Sequence, residues 1–376
     1  MFSLFFDLIK VSIGNSVCLS HTPSVDEWGK LYALAKKQSL VGVCFAGVQR
    51  LVSQQQTPPE MLYLQWMGMA AKIQQRNEVL NRQCAELGER LKVNGYRYAI
   101  MKGQGVASLY SINPNLSSIN LQNLRQSGDI DLWVDAPKEK VVALAEEMGM
   151  TEKPGYLHVG TKFNPSTGSG QVTDVELHYR PTYMRNPWHN KKMQEFCNGF
   201  KGTECFKGFK EGNGLLVPSY EFNVVYLLSH IYRHLFGDGI GLRQLMDYYF
   251  VLMNTNTSTG FSTGSHELSA NCSINSALKQ LDLKNIAGAV MYVLKVVFGM
   301  EKQYMICEPD EKRGKALLRH IIQTGNFGKM DNEQNMARQS LLGTMIYKIK
   351  QWHELLRFYP SEALCAPLWS IRSKLQ

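Results

Sequence analysis

Apolar residues recur at three- and four-residue steps through the first 95 positions, the spacing of one helix face. Trp28, Leu31, Leu34 and Ala35 follow Asp26 in this way and predict a helix with one side against a core. The opening run from Met1 to Lys10 is apolar but interrupted by Asp7 and has no basic leader, so it predicts an amphipathic helix and not a secretion signal. A longer helix is expected after Pro58 and Pro59, carrying Met61, Leu64, Met67, Ile73, Val79, Leu80, Leu87 and Leu91 until Asn94 and Gly95 stop it.

The period then shortens. Tyr96 to Met101 is rich in aromatic and β-branched residues and runs into Lys102-Gly103-Gln104-Gly105 and a helix-like Val106 to Tyr110, which predicts strand, turn, helix. After a polar stretch from Ser111 to Gln126, Ile130 to Val134 predicts a second strand, and Pro137 opens a helix ending near Gly149. Tyr156 to Phe163 and Val172 to Tyr179 predict an antiparallel pair joined by the turn formers from Asn164 to Gly170.

Helical spacing returns at Pro218, with Ser219 as N-cap, Glu221 in the first turn and Gly237 as the stop. Further helices are expected at Leu242 to Met253, Ile274 to Phe298, Lys312 to Gln323 and Asn335 to Phe358, and an exposed, mobile connection over Asn254 to Ser276. The expected fold is α+β, with a small mixed-sheet core at 96–217 between an N-terminal helical segment, 1–95, and a C-terminal helical domain, 218–376.

Composition narrows the partners. Lys and Arg number 41 against 32 Asp and Glu, a net charge of +9 that favours anionic partners. The excess is spread out, with no basic arm, which favours nucleotide-sized phosphates over a long nucleic acid. The eight cysteines form no C-x-x-C pair, and no stretch approaches the roughly 20 apolar residues of a membrane helix, so free thiols and a cytoplasmic location are expected.

Candidate chemistry concentrates at the second strand. In Ser127-Gly128-Asp129-Ile130-Asp131 the two aspartates are two apart, so a strand points both carboxylates to one side, where a cation would relieve their repulsion. In Thr173-Asp174-Val175-Glu176-Leu177-His178-Tyr179, Asp174, Glu176 and His178 alternate with apolar residues. If this strand lies beside the first, Glu176 completes a three-carboxylate site able to hold two ions about 3.5 to 4 Å apart, with Asp174 the alternative third ligand. The competing reading is a surface hairpin with solvated acids. Gly103 and Gly105 let backbone N–H groups approach an anion at the following helix start, with Lys102 and Arg125 as fixed positive charge.

His230 and His234 share a helix face, as do Arg243 and Asp247, and they are candidates for the cleft border; Arg243 and Asp247 are also placed for an intrahelical ion pair. Trp133, Tyr179, Tyr183 and Trp188 are read as core in preference to base-stacking residues, and Arg180 and Arg185 as phosphate contacts or solvated loop.

Met101-Lys102-Gly103, the run from Arg125 to Val134, and Glu176-Leu177-His178-Tyr179 together resemble the signature of the uncharacterised bacterial nucleotidyltransferase family of the polymerase-beta-like superfamily. The resemblance implies a minimal nucleotidyltransferase core in which Asp129, Asp131 and Glu176 are catalytic metal ligands. It puts the family's Lys-Gly turn at Lys102 and Gly103, with Gly105, Arg125 and Gly128 nearby for the nucleotide. His178, His230, His234, Arg243 and Asp247 stand as cleft candidates. The chain lacks the wider superfamily's Gly-Ser pair at that turn and carries a long polar insert between Gly103 and Asp129. The implied activity is Mg²⁺- or Mn²⁺-dependent transfer of a nucleoside monophosphate from an NTP to a hydroxyl acceptor (small molecule, protein or RNA), with pyrophosphate released. The alternatives are a non-catalytic nucleotide-binding protein and a toxin-like or regulatory interaction protein.

Overall fold

The computed structural model describes residues 1–111, 120–164, 172–201, 215–237, 239–254, 274–325 and 352–375. The polar insert, the β-turn formers and the Ser/Thr/Gly-rich connection fall largely outside these residues, as does most of the helix expected from Asn335. The outcome is an α+β fold in which helices flank a small four-stranded sheet.

Helix α1 (Phe2–Ile13) buries most of its length, and Gly14 in the left-handed region ends it. Helix α2 (Val25–Lys37) starts at a capping box in which the Ser24 hydroxyl accepts from the Glu27 amide and Glu27 reaches back to the Ser24 amide. α3 (Val41–Leu51) packs beneath α1, where Gly47 lets Ser12 and Leu8 approach the backbone. α4 (Glu60–Val93) is the long helix read from its apolar spacing, and Gly95 at φ 75° follows its end.

The sheet is built from β1 (Tyr98–Met101), β2 (Ile130–Val134), β3 (His158–Phe163) and β4 (Thr173–His178), in the order β1-β2-β4-β3. β2 runs parallel to β4 and antiparallel to β1, and β3 with β4 forms the expected antiparallel pair. Between β1 and β2 lies α5 (Lys102–Ala107), which is kinked at Gly103; the expected Val106-to-Tyr110 helix becomes the end of α5 followed by a 3₁₀ turn, Ser108–Ser111.

Strand alternation sorts side chains onto two faces. Ile130, Leu132, Val134, Val175 and Leu177 face one core with the second half of α4 and with α6 (Lys138–Glu147). The opposite face carries Met101, Asp131, Trp133, Glu176 and His178, aligned across the sheet by the pairs Met101↔Asp131, Asp131↔Glu176 and Trp133↔His178. Trp133 stacks on Phe222 with ring centroids 4.9 Å apart, which seats this face against α8 (Tyr220–Leu235).

α7 (Pro187–Phe200) begins at an Asn186 cap, and α8 begins at the expected Ser219 cap. α9 (Leu242–Met253) follows, and with α1 to α3 it shares the larger apolar core. The helix expected over Ile274 to Phe298 is interrupted: residues 274–280 are helical, Asp282 takes φ 55°, and a new helix, Lys284–Val293, runs into a π-turn. Apolar periodicity continues through this break because residues on both sides of it face the same core. The helix Glu311–Thr324 matches the expected Lys312 to Gln323, and residues 352–358 are helical. Within the helix Pro360–Leu375, buried Glu362 accepts hydrogen bonds from the Arg185 and Asn186 amides and so ties the chain's end to the start of α7. No helix among the described residues is long and apolar enough to cross a membrane.

Candidate active site

β2 starts at Ile130, so Asp129 lies in the loop just ahead of the strand and is exposed, whereas Asp131 is on the strand and buried. This corrects the expectation of two strand residues on one face. The carboxylates nevertheless converge: the parallel pairing puts Glu176 level with Asp131, and Asp129 stands one residue ahead of the strand. One oxygen from each of Asp129, Asp131 and Glu176 lies within 4.8 Å of the others, a grouping that could hold a metal ion. Asp174, the alternative third ligand, is exposed and stands two residues along β4, opposite Lys162.

The charges around these acids are arranged to hold them ready. Asp131 raises the Asp129 carboxyl above the ordinary aspartate value, and the surrounding protein adds to this. Lys102 Nζ lies 2.7 Å from Asp131 Oδ1. Burial works against its charge, but Asp131 more than offsets this and raises the amine above its usual value. The reading of Lys102 as a solvated lysine gives way to a largely buried cation at the centre of the site. His178 is buried, with Nε2 3.1 Å from Asp131 Oδ1 and 3.0 Å from Glu176 Oε2. Burial pushes this ring down, and its hydrogen bonds to the two carboxylates overcome that and raise it. Burial likewise favours a protonated Glu176, but the His178 hydrogen bond and charge hold its carboxyl well below the usual range.

The turn beside Lys102 needs its glycines for different reasons. Gly103 adopts φ 35° and ψ −117°, a conformation reserved for glycine. A side chain on Gly105 would run into the Ile100 carbonyl, so its absence lets the helix start press against β1. Gly128 has open space around its Cα and lines the cleft.

Arg125 is placed differently from expectation. Its guanidinium is buried, with Nε and Nη2 each 2.7 Å from an Asp247 oxygen and Nη1 2.9 Å from the Ser127 hydroxyl. The Tyr110 hydroxyl also donates to Asp247 at 2.7 Å. The intrahelical pair expected between Arg243 and Asp247 is thus replaced by a pair spanning 122 residues, because a buried carboxylate gains more from a two-pronged guanidinium than from a neighbour one turn away. Arg243 instead donates from Nη1 to the Gln126 carbonyl at 2.6 Å. Burial, with Arg125 nearby, brings its guanidinium down to about 10.

These residues open onto a cleft of about 370 Å³ lined by the three acids, Lys102, Gly103, Gly128, Arg125, Arg243 and Asp247. On its α8 side stand His230 and His234, whose rings are 4.4 Å apart. Burial pushes both rings down, His234 to about 2, so both are neutral. Arg233 lies between them, with Nη2 3.2 Å from His230 Nδ1 and 3.3 Å from His234 Nε2. Sequence reading missed Arg233 and His158; Arg233 shares the α8 turn with the two singled-out histidines, and the hairpin register alone places His158. Tyr183 and Arg185 also reach the cleft, whereas Trp133 is core and Trp188 is exposed.

The family model described as uncharacterised nucleotidyltransferase matches residues 24–299. No curated protein and no solved structure matches the chain. The family match spans α2, the sheet with its acids, and the cleft-lining helices α8 and α9, so the chain belongs to the uncharacterised nucleotidyltransferase family.

Proposed function

We propose that the chain transfers a nucleoside monophosphate from an NTP to a hydroxyl acceptor with release of pyrophosphate, in the manner of the polymerase-beta-like superfamily. The convergence of Asp129, Asp131 and Glu176 carries the reading. Three carboxylate oxygens suit Mg²⁺ or Mn²⁺, which take oxygen ligands, and these residues would hold the ion, which when bound neutralises phosphate charge.

The chain's own residues do the rest. Gly103 brings the backbone close to an anion, and Lys102, Arg233, Arg243 and Arg185 supply positive charge around the cleft for the phosphates. His178 Nε2 stands between Asp131 and Glu176, at 3.1 and 3.0 Å from one oxygen of each, and so keeps the two side chains side by side. Neutral His230 and His234 border the side on which an acceptor would enter. Arg125 is assigned to positioning, since it fixes the loop that carries Asp129. Free thiols at Cys18, Cys44, Cys84, Cys197, Cys307 and Cys365 suit a cytoplasmic site of action.

Pyrophosphate release is measured with each NTP, Mg²⁺ or Mn²⁺ and a panel of hydroxyl acceptors. Asp129→Asn with Asp131→Asn is expected to lower the rate at least about 10³-fold while the protein stays folded. An unchanged rate in this variant would overturn the assignment. Binding of Mg²⁺–NTP with no release under any acceptor would favour the non-catalytic alternative.

A further inference from the structure

Beside the three acids, the sheet carries two imidazoles in register. His158 of β3 stands opposite His178 of β4, and their ring centroids are 4.7 Å apart. Glu176 Oε2 lies 3.0 Å from His178 Nε2 and 3.5 Å from His158 Nδ1. One ligand atom from each of the three side chains falls within 4.8 Å of the others. Separations of roughly 3.0 to 3.5 Å are those of neighbouring ligands around a single ion with metal–ligand bonds of about 2.0 to 2.2 Å.

Two further observations point to a ligand. Nδ1 of His158 is shielded from solvent yet makes no hydrogen bond among the described residues, although buried polar atoms are nearly always partnered. Nδ1 of His178 faces the Arg180 carbonyl at 3.4 Å, the arrangement by which a ligating histidine is fixed through its second nitrogen.

We propose that His158, His178 and Glu176 form a binding site for a zinc-type transition ion, distinct in donor chemistry from the three-carboxylate group and joined to it through Glu176. Two imidazoles and one carboxylate suit Zn²⁺ or Co²⁺, whereas Mg²⁺ takes oxygen ligands. The site rests on the imidazoles and stands whether or not the chain transfers nucleotides.

The full chain, stripped of metal, is titrated with Co²⁺ followed by visible absorption and with Zn²⁺ followed by calorimetry. The expected result is one ion bound per chain with a spectrum free of thiolate charge transfer. His158→Ala and His158→Gln should each weaken binding at least about tenfold, and Asp129→Asn should change it little. The half-buried position of His158 lets both variants fold, which circular dichroism verifies. Unchanged affinity in both His158 variants, a thiolate band, or an equal loss in Asp129→Asn would overturn the proposal. A wild-type chain that binds neither ion overturns it as well, and loss of nucleotidyl transfer alone leaves it untouched.

Discussion

Arg125 and Asp247 form a buried two-pronged ion pair, with both nitrogen-to-oxygen distances at 2.7 Å, that fastens the loop ahead of β2 to α9. From it a chain of hydrogen bonds runs through the Ser127 hydroxyl to Gln104 of α5. From α4, Asn77 donates to the carbonyls of Asn123 and Arg125. The loop bearing Asp129 and the turn bearing Lys102 are therefore held by one network.

Breaking that pair takes the two-pronged guanidinium from a buried carboxylate. Arg125→Ala should cost about 3 to 5 kcal/mol in urea unfolding. The double change Arg125→Met with Asp247→Leu should recover most of this, because it removes both charges together. A loss below about 1 kcal/mol for Arg125→Ala would show that the pair is not holding the loop.

Metal binding should report the repulsion between Asp129 and Asp131. Asp131 raises the Asp129 carboxyl above 3.8, and binding requires it ionised, so affinity is full above the raised value and falls as pH drops through it. In Mg²⁺ calorimetry the midpoint of the fall in affinity should lie above pH 3.8. A midpoint at or below 3.8 would show that the two carboxylates do not interact as described.

Lys102 is paired with Asp131 and also lines the cleft. Lys102→Met should raise the affinity for Mg²⁺ alone several-fold, since a competitor for Asp131 is gone, while it lowers the transfer rate by about 10²-fold. Opposite signs in the two measurements are the signature of this double placement. A parallel fall in both would mean that Lys102 only supports the fold.

Two glycines in helical segments should respond in opposite ways to alanine. Gly105→Ala forces a methyl into the Ile100 carbonyl and should cost at least about 2 kcal/mol or prevent folding. Gly68 is exposed on α4 with open space at its Cβ position, so Gly68→Ala should raise stability by about 0.5 to 1 kcal/mol. Thermal unfolding of the two variants checks both signs.

Much of the site was legible before any coordinates because strand alternation is local. The polar–apolar pattern of Thr173 to Tyr179 alone puts Glu176 and His178 on the face away from Val175 and Leu177, and the structure has them there. The Arg243–Asp247 expectation failed for the converse reason. Spacing of four on a helix marks two side chains as neighbours, but it carries no information about a guanidinium 122 residues away that reaches the same carboxylate from the sheet side. The break at Asp282 escaped notice because apolar spacing reports which side faces the core and not whether the backbone is continuous.

The sequence by itself determined the strand-turn-helix unit, the two-residue spacing of Asp129 and Asp131, the polar face of β4 and the capped helices, because each depends on neighbours within a turn or a strand pair. Only the tertiary structure decided that β2 lies parallel to β4 with Asp131 level with Glu176, that His158 stands beside His178, and that Arg125 belongs to Asp247. Register and long-range ion pairs are settled by the burial of two opposite sheet faces and by the desolvation of whole networks at once. Those energies belong to the assembled core and to no short stretch of the chain.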